Sequence, residues 1–172
     1  AILRNAMATV KRTVVPLGEE INIVKAYLAL EAMRFEERLR VQFHLDPDLD
    51  RVPVPPMLLQ TLVENAVRHG IARLPGGGDL IIGAQRLDDG ICLSVSNSGL
   101  YTPGKVNGTG IGLRNTRRRL EMIYAGKAHM SISNKDGLVV TEVCLPLEVA
   151  RPTIPFTSDN ELERDHESPD HR

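Results

Sequence analysis

The chain has 172 residues, 42% of them hydrophobic, enough for one compact domain with a real core. Lysine plus arginine number 21 against 22 acidic residues, so the net charge of -1 offers no global field to nucleic acid or an anionic membrane, and any anion binding must be local. No apolar run approaches the roughly 20 residues of a bilayer helix, and the N-terminus lacks a signal-peptide arrangement, so a cytoplasmic domain is expected.

Residues 1–16 are weakly patterned and read as the end of an upstream helical or dimerisation element, with the domain proper over 17–149. From Leu17 the apolar Leu17, Ile21, Val24, Leu28, Ala32, Phe35 and Leu39 recur every three or four positions, while Glu19, Glu20, Lys25, Glu36 and Glu37 fill others. This spacing predicts one long amphipathic helix. Val41, Phe43 and Leu45 then alternate with polar neighbours as a strand does, up to Asp46-Pro47. A second helix is expected from near Pro56 to His69, since proline at the first helical position lacks only an N–H that would have had no partner.

After "PGGG" (75–78), strands are predicted over 80–87 and 91–96, with Asp88-Asp89-Gly90 as the hairpin signal between them. A loop over 97–110 leads to a third helix over 111–124, and two more strands follow over 128–133 and 138–145. Hairpins without repeated βαβ units predict an α/β (α+β) two-layer sandwich, with helices on one face of a mixed, mostly antiparallel sheet. Residues 150–172 are too polar to bury a core and are expected to form a disordered tail. Cys92 and Cys144 lie in apolar strand-like runs without metal-ligand neighbours and are expected as buried free thiols.

The stretch 107–112, "NGTGIG", enters the third helix. Gly108, Gly110 and Gly112 leave backbone N–H groups uncovered beside a helix N-terminus, where orphan donors and the macrodipole favour an anion. A mobile turn without a ligand is the competing reading. The pattern is neither the dinucleotide fingerprint nor a P-loop, which ends in Gly-Lys-Ser/Thr. On "MLLQTLVENAVRHG", Leu59, Leu62, Val63, Ala66 and Val67 form an apolar face, and Thr61, Asn65, Arg68 and His69 another. Asn65 beside Glu64 offers a hard oxygen of the kind Mg²⁺ prefers. Singly, Asn65 also reads as an exposed asparagine, Glu64 with Arg68 as an ion pair, and His69 as a residue favoured by the helix C-terminus.

Together, "PPMLLQTLVENAVRHGI", "GTGIGLRNTRRRL" and "LGEEINIVKAYLALEAMRFEERL" resemble the LytS-type bacterial sensor histidine kinases, within the ATPase superfamily of gyrase, heat-shock chaperone and mismatch-repair proteins. The resemblance covers about 17–147 and implies a Bergerat-type fold with ATP between the N-box helix and a glycine-rich lid. It implies that Asn65 coordinates Mg²⁺ on the triphosphate and that Glu64, Arg68 and His69 line or polarise that end of the pocket. Gly108, Thr109, Gly110, Ile111, Gly112 and Leu113 would cradle phosphate, with Lys105 reaching in from the lid and Arg114 and Asn115 as secondary candidates. Of Arg117, Arg118 and Arg119, at most one or two can face the ligand.

The first glycine box departs from its usual Asp-x-Gly-x-Gly form. Here "VSNSGLY" (95–101) keeps Gly99 but sets Asn97 where the adenine-binding aspartate belongs and Tyr101 in place of the second glycine. Asn97 keeps a carbonyl acceptor without the charge that strengthens such bonds. The five histidines, His44, His69, His129, His166 and His171, all lie outside an Asn-Pro-His-Phe type acceptor segment. The resemblance therefore implies an excised catalytic domain that holds Mg-ATP for an acceptor histidine elsewhere in a full-length homodimer, with a response regulator as the next partner. No nucleic-acid or membrane contact is expected of this domain, although the full-length sensor can be membrane-bound. A serine/threonine kinase of the anti-sigma type, an ATP-hydrolysing clamp and a degenerate interaction module are the alternatives.

Overall fold

The computed structural model describes residues 13–103 and 110–148. In chain order the elements are β1 (Val15–Pro16), α1 (Leu17–Phe35), β2 (Leu39–Leu45), β3 (Pro53–Val54), α2 (Leu58–Asn65), β4 (Gly78–Leu87), β5 (Gly90–Ser98), α3 (Gly110–Tyr124), β6 (His129–Lys135) and β7 (Leu138–Pro146). The main sheet runs β2-β4-β5-β7-β6. Its only parallel pair is β2 with β4, where α2 makes the crossover, and the remaining pairs are antiparallel. The two-layer expectation holds.

α1 buries Leu17, Ile21, Val24, Leu28 and Phe35, each contributing about 1.5–3 kcal/mol on full removal from water. It ends sooner than the periodicity predicts. Glu36 takes φ 52°, which breaks the helix, and Leu39 opens β2 instead of extending the stripe. Ala32, within the helix, is exposed, whereas Glu20 is buried because its carboxylate serves backbone N–H groups at the start of α2.

The helix expected to run to His69 keeps α geometry only to Asn65, then widens into a π turn over Ala66–Gly70 and tightens into a 3₁₀ turn over Ile71–Arg73. Leu87 pairs with Gly90, so the β4–β5 hairpin closes through Asp88-Asp89 as the sequence indicates. Alternate residues Leu80, Ile82 and Ala84 of β4 and Ile91, Leu93 and Val95 of β5 form one core with Leu58, Leu62 and Val63 of α2 and with Leu120 and Tyr124 of α3. The helical layer and the sheet thus close over a single apolar interior.

The cysteine expectation is corrected. Cys92 stands directly opposite Cys144 across β5 and β7, and the two form a disulfide on the sheet face away from the helices, neither of them fully buried. Glu142 Oε1 lies 3.9 Å from Cys144 Sγ, but the sulfurs, joined to each other, do not serve as metal ligands. Strand register, which the sequence does not show, is what brings the three together. The expected upstream element and tail fall outside the described residues over 1–12 and 149–172.

Candidate functional site

α2, its π turn and the root of the glycine-rich segment enclose a cavity of about 120 Å³ against the sheet. Asn65, Ala66, His69, Gly70 and Arg73 line one wall, Asn97, Leu100, Tyr101 and Thr102 a second, and Leu113, Ile132, Val139 and Thr141 the remainder. The Nδ2 of Asn65 is buried without a hydrogen-bond partner. A Cβ on Gly112 would stand 3.5 Å from that nitrogen and 3.7 Å from the Asn65 amide oxygen. The first turn of α3 thus lies close to Asn65, with room at Gly112 for a Cβ at ordinary contact distance. The two motifs meet at one point, and a buried amide donor is left there with nothing to bind.

Asn97 is 6% exposed, and its Nδ2 donates to the Ser98 carbonyl at 3.0 Å. This fixes the amide and leaves its oxygen as an acceptor. A Cβ on Gly70 would overlap the Asn97 amide, so the glycine is what permits this close approach. The loop root is held from the other side: Tyr101 donates its N–H to Asn134 Oδ1 and accepts from Asn134 Nδ2, both at 2.8 Å.

The family model described as histidine kinase matches residues 1–39. The sensor protein LytS of Staphylococcus haemolyticus is 30% identical over 77% of this chain and 25% of its own length. The sensor histidine kinase BtsS of Escherichia coli is 34% identical over 69% of this chain and 21% of its own. The chain belongs to the sensor histidine kinase family. It spans about a quarter of the length of the curated relatives it matches. The catalytic domain of histidine kinase ThkA shares the fold, with a TM-score of 0.63 at 21% identity over 78% of this chain and 96% of that one. Another solved structure holds ThkA in complex with the response regulator protein TrrA, matching at TM-score 0.58 and 20% identity over 86% of this chain and 46% of that one.

Among the residues singled out from the kinase resemblance, the fold gathers Asn65, His69, Asn97, Gly112 and Leu113 around the cavity. Glu64 and Arg68 are exposed and do not line it. Glu64 accepts from Gln60 Nε2 at 2.9 Å; burial first, then the charges of Glu31 and Glu64, push the Tyr27 hydroxyl of α1 up to about 12, against the opposing charges of Arg34 and Arg68. Ile111 is 66% exposed, and Gly99, at φ 134°, sits just before the lining residue Leu100. Lys105, Gly108 and Thr109 lie outside the described residues, and Gly110 opens α3. Arg114 and Asn115 are exposed, Arg117 reaches the Met130 carbonyl at 3.5 Å, and Arg119 turns inward.

Sequence reasoning missed Arg73 and Gly70. Neither carries a motif signal of its own, and both reach the cavity only through the irregular turns that follow Asn65. Arg73 Nη2 lies 3.3 Å from His69 Nδ1. Arginine can only donate, so Nδ1 accepts and the neutral ring carries its proton on Nε2. Burial first, then the charges of Arg73 and Arg68, hold the imidazole below its ordinary 6.5.

His69 is accordingly neutral at pH 7. As pH falls through 6.5 the unfolded chain takes up a proton that the folded site resists, so the neutral ring's stabilising contribution declines towards the lower folded value. An NMR titration is expected to give His69 a midpoint below 6.5, and His69→Gln should lose this acid sensitivity. A midpoint at or above 6.5 would contradict the arrangement.

Proposed function

We propose that this chain is the ATP-binding catalytic part of a two-component sensor kinase, holding Mg-ATP between α2 and the first turn of α3 for phosphoryl transfer to a histidine outside this chain. The carrying observation is that Asn65, whose buried Nδ2 lacks a partner, lies beside Gly112 in the first turn of α3. An amide there fits a polar, oxygen-rich ligand. Asn65 would hold Mg²⁺ through its oxygen, and the ion would supply neutralisation of phosphate charge. The N–H groups of the first turn of α3 supply donors that need no reorganisation. Asn97 orients the base, and Leu113, Ile132 and Val139 exclude water around it. Catalysis on this reading is positioning and charge stabilisation.

The acceptor is placed in the full-length homodimer and the next partner is a response regulator, in keeping with the neighbour solved with one. No helix among the described residues is long and apolar enough to cross a membrane, which accords with a cytoplasmic domain of a sensor that is itself free to be membrane-anchored. The deciding experiment is a Mg-ATP titration followed by incubation with γ-labelled ATP, with and without a separate segment carrying the acceptor histidine. Acid-labile label is expected only on the supplied segment. His44 and His129 are exposed on the outer strands β2 and β6, and His69 already has one nitrogen engaged. Stoichiometric phosphohistidine on this chain alone would overturn the assignment.

Asn97 favours a second reading, a nucleotide-binding remnant acting as an interaction module, which the same titration separates. Asn97→Asp gives up the donor to Ser98 and should lower stability, while its charge strengthens a bond from an adenine amino group. Preference for ATP over GTP should rise by about 1 kcal/mol, read by competition binding. A selective loss of ATP binding would show that the amide itself is the adapted partner, or that the residue is not at the base.

A further inference from the structure

Glu20 is 1% exposed, the most buried charged side chain among the described residues, and the nucleotide reading does not use it. Its Oε1 accepts from the Met57 N–H at 2.7 Å, and its Oε2 from those of Leu59 at 3.1 Å and Gln60 at 3.4 Å. These are the orphan donors at the N-terminus of α2. That helix has no side-chain cap of its own, because its N-cap position holds Met57, in the left-handed region at φ 62°. A carboxylate from the first turn of α1 thus supplies the missing acceptor and the negative charge that the helix dipole favours.

Arg119 of α3 closes the arrangement. Its Nε is buried without a hydrogen-bond partner, and burial lowers the guanidinium's pKa while the charge of Glu20 opposes that shift. The hydroxyl of Tyr124, also buried and unpartnered, is pushed up to about 12 by burial. α2 ends at Asn65, about 11 Å along its axis from the cap, where the first turn of α3 sets Gly112 close by.

We infer that Glu20 is a positioning residue for the nucleotide site. Its carboxylate ties the first turn of α1 to the start of α2, and so fixes the helix that carries Asn65 beside the first turn of α3. This rests on the reading of the cavity as a Mg-ATP site. Glu20→Gln keeps the shape of the side chain but loses its charge and turns an NH₂ group towards N–H donors. Mg-ATP affinity should fall by about tenfold, the weight of a charge-assisted bond. The Arg119 Nε–H resonance should shift, and amide exchange should accelerate from 57–60 through to Asn65 and Gly112.

Val24→Ala, a core truncation on the same helix, is the comparison: it should cost stability and leave affinity unchanged. An affinity in Glu20→Gln equal to that of Val24→Ala, or faster exchange confined to 57–60, would reduce Glu20 to a local cap and overturn the inference. Should the wild-type chain not bind Mg-ATP, the nucleotide reading fails, and the exchange pattern and the Arg119 resonance still decide the coupling. If Glu20→Gln does not fold, Glu20→Asp, which keeps the charge on an arm too short to reach all three N–H groups, is judged by the same exchange and affinity criteria.

Discussion

Replacing Asn65 by alanine is expected to weaken Mg-ATP binding by about tenfold or more while leaving the domain folded. The residue sits at the end of α2 between the buried face of Leu58, Leu59, Leu62 and Val63 and the first turn of α3, and it contributes no apolar surface to the core. Its Nδ2 is buried without a partner, so alanine removes an unsatisfied donor and improves helix propensity. Stability should hold or rise. Binding should fall, because the hard oxygen proposed for Mg²⁺ and the donor beside Gly112 disappear together. Thermal unfolding and Mg-ATP calorimetry on the same preparations separate the two effects. Unchanged affinity in a folded variant would remove Asn65 from the site.

The large elements were legible because each carries its own periodicity. Ile91, Leu93 and Val95 alternate as a half-buried strand must, and Asp-Gly marks the hairpin before them. The site was legible in its two motifs, and Asn65 and Gly112 do meet. What escaped depends on partners distant in sequence. Glu20 reads as one polar residue among several, and only the N-terminus of α2, 37–40 residues away, explains its burial. Cys92 and Cys144 look like separate small hydrophobes until register sets them opposite one another. β1 and β3, of two residues each, are too short to show alternation. Arg73 reaches the cavity because the backbone widens after Asn65, a change that an apolar run through Ala66 and Val67 conceals.

Gly70→Ala tests the point where the wall that carries Asn65 meets Asn97, and it should be the more damaging change. A Cβ there would overlap the Asn97 amide nitrogen and lie 2.8 Å from Asn97 Cγ, so one of the two residues must move. Asn97 is buried and tied to the Ser98 carbonyl, and its displacement breaks that bond and withdraws the acceptor proposed for the base. Movement of the Gly70 backbone instead carries His69 and Ile71 with it and opens the turn that shapes the cavity. Either response should cost about 1–3 kcal/mol of stability, as overpacking does. Nucleotide affinity should drop by about tenfold or more, since the base contact is lost with the geometry. Adding Asn97→Ala makes room for the new methyl group. The double variant should regain much of the stability yet stay weak in binding, which distinguishes a displaced recognition group from general damage. Mg-ATP affinity at the wild-type level in Gly70→Ala would mean that Asn97 does not face the base, and that the α2 wall of the cavity is not where adenine lies.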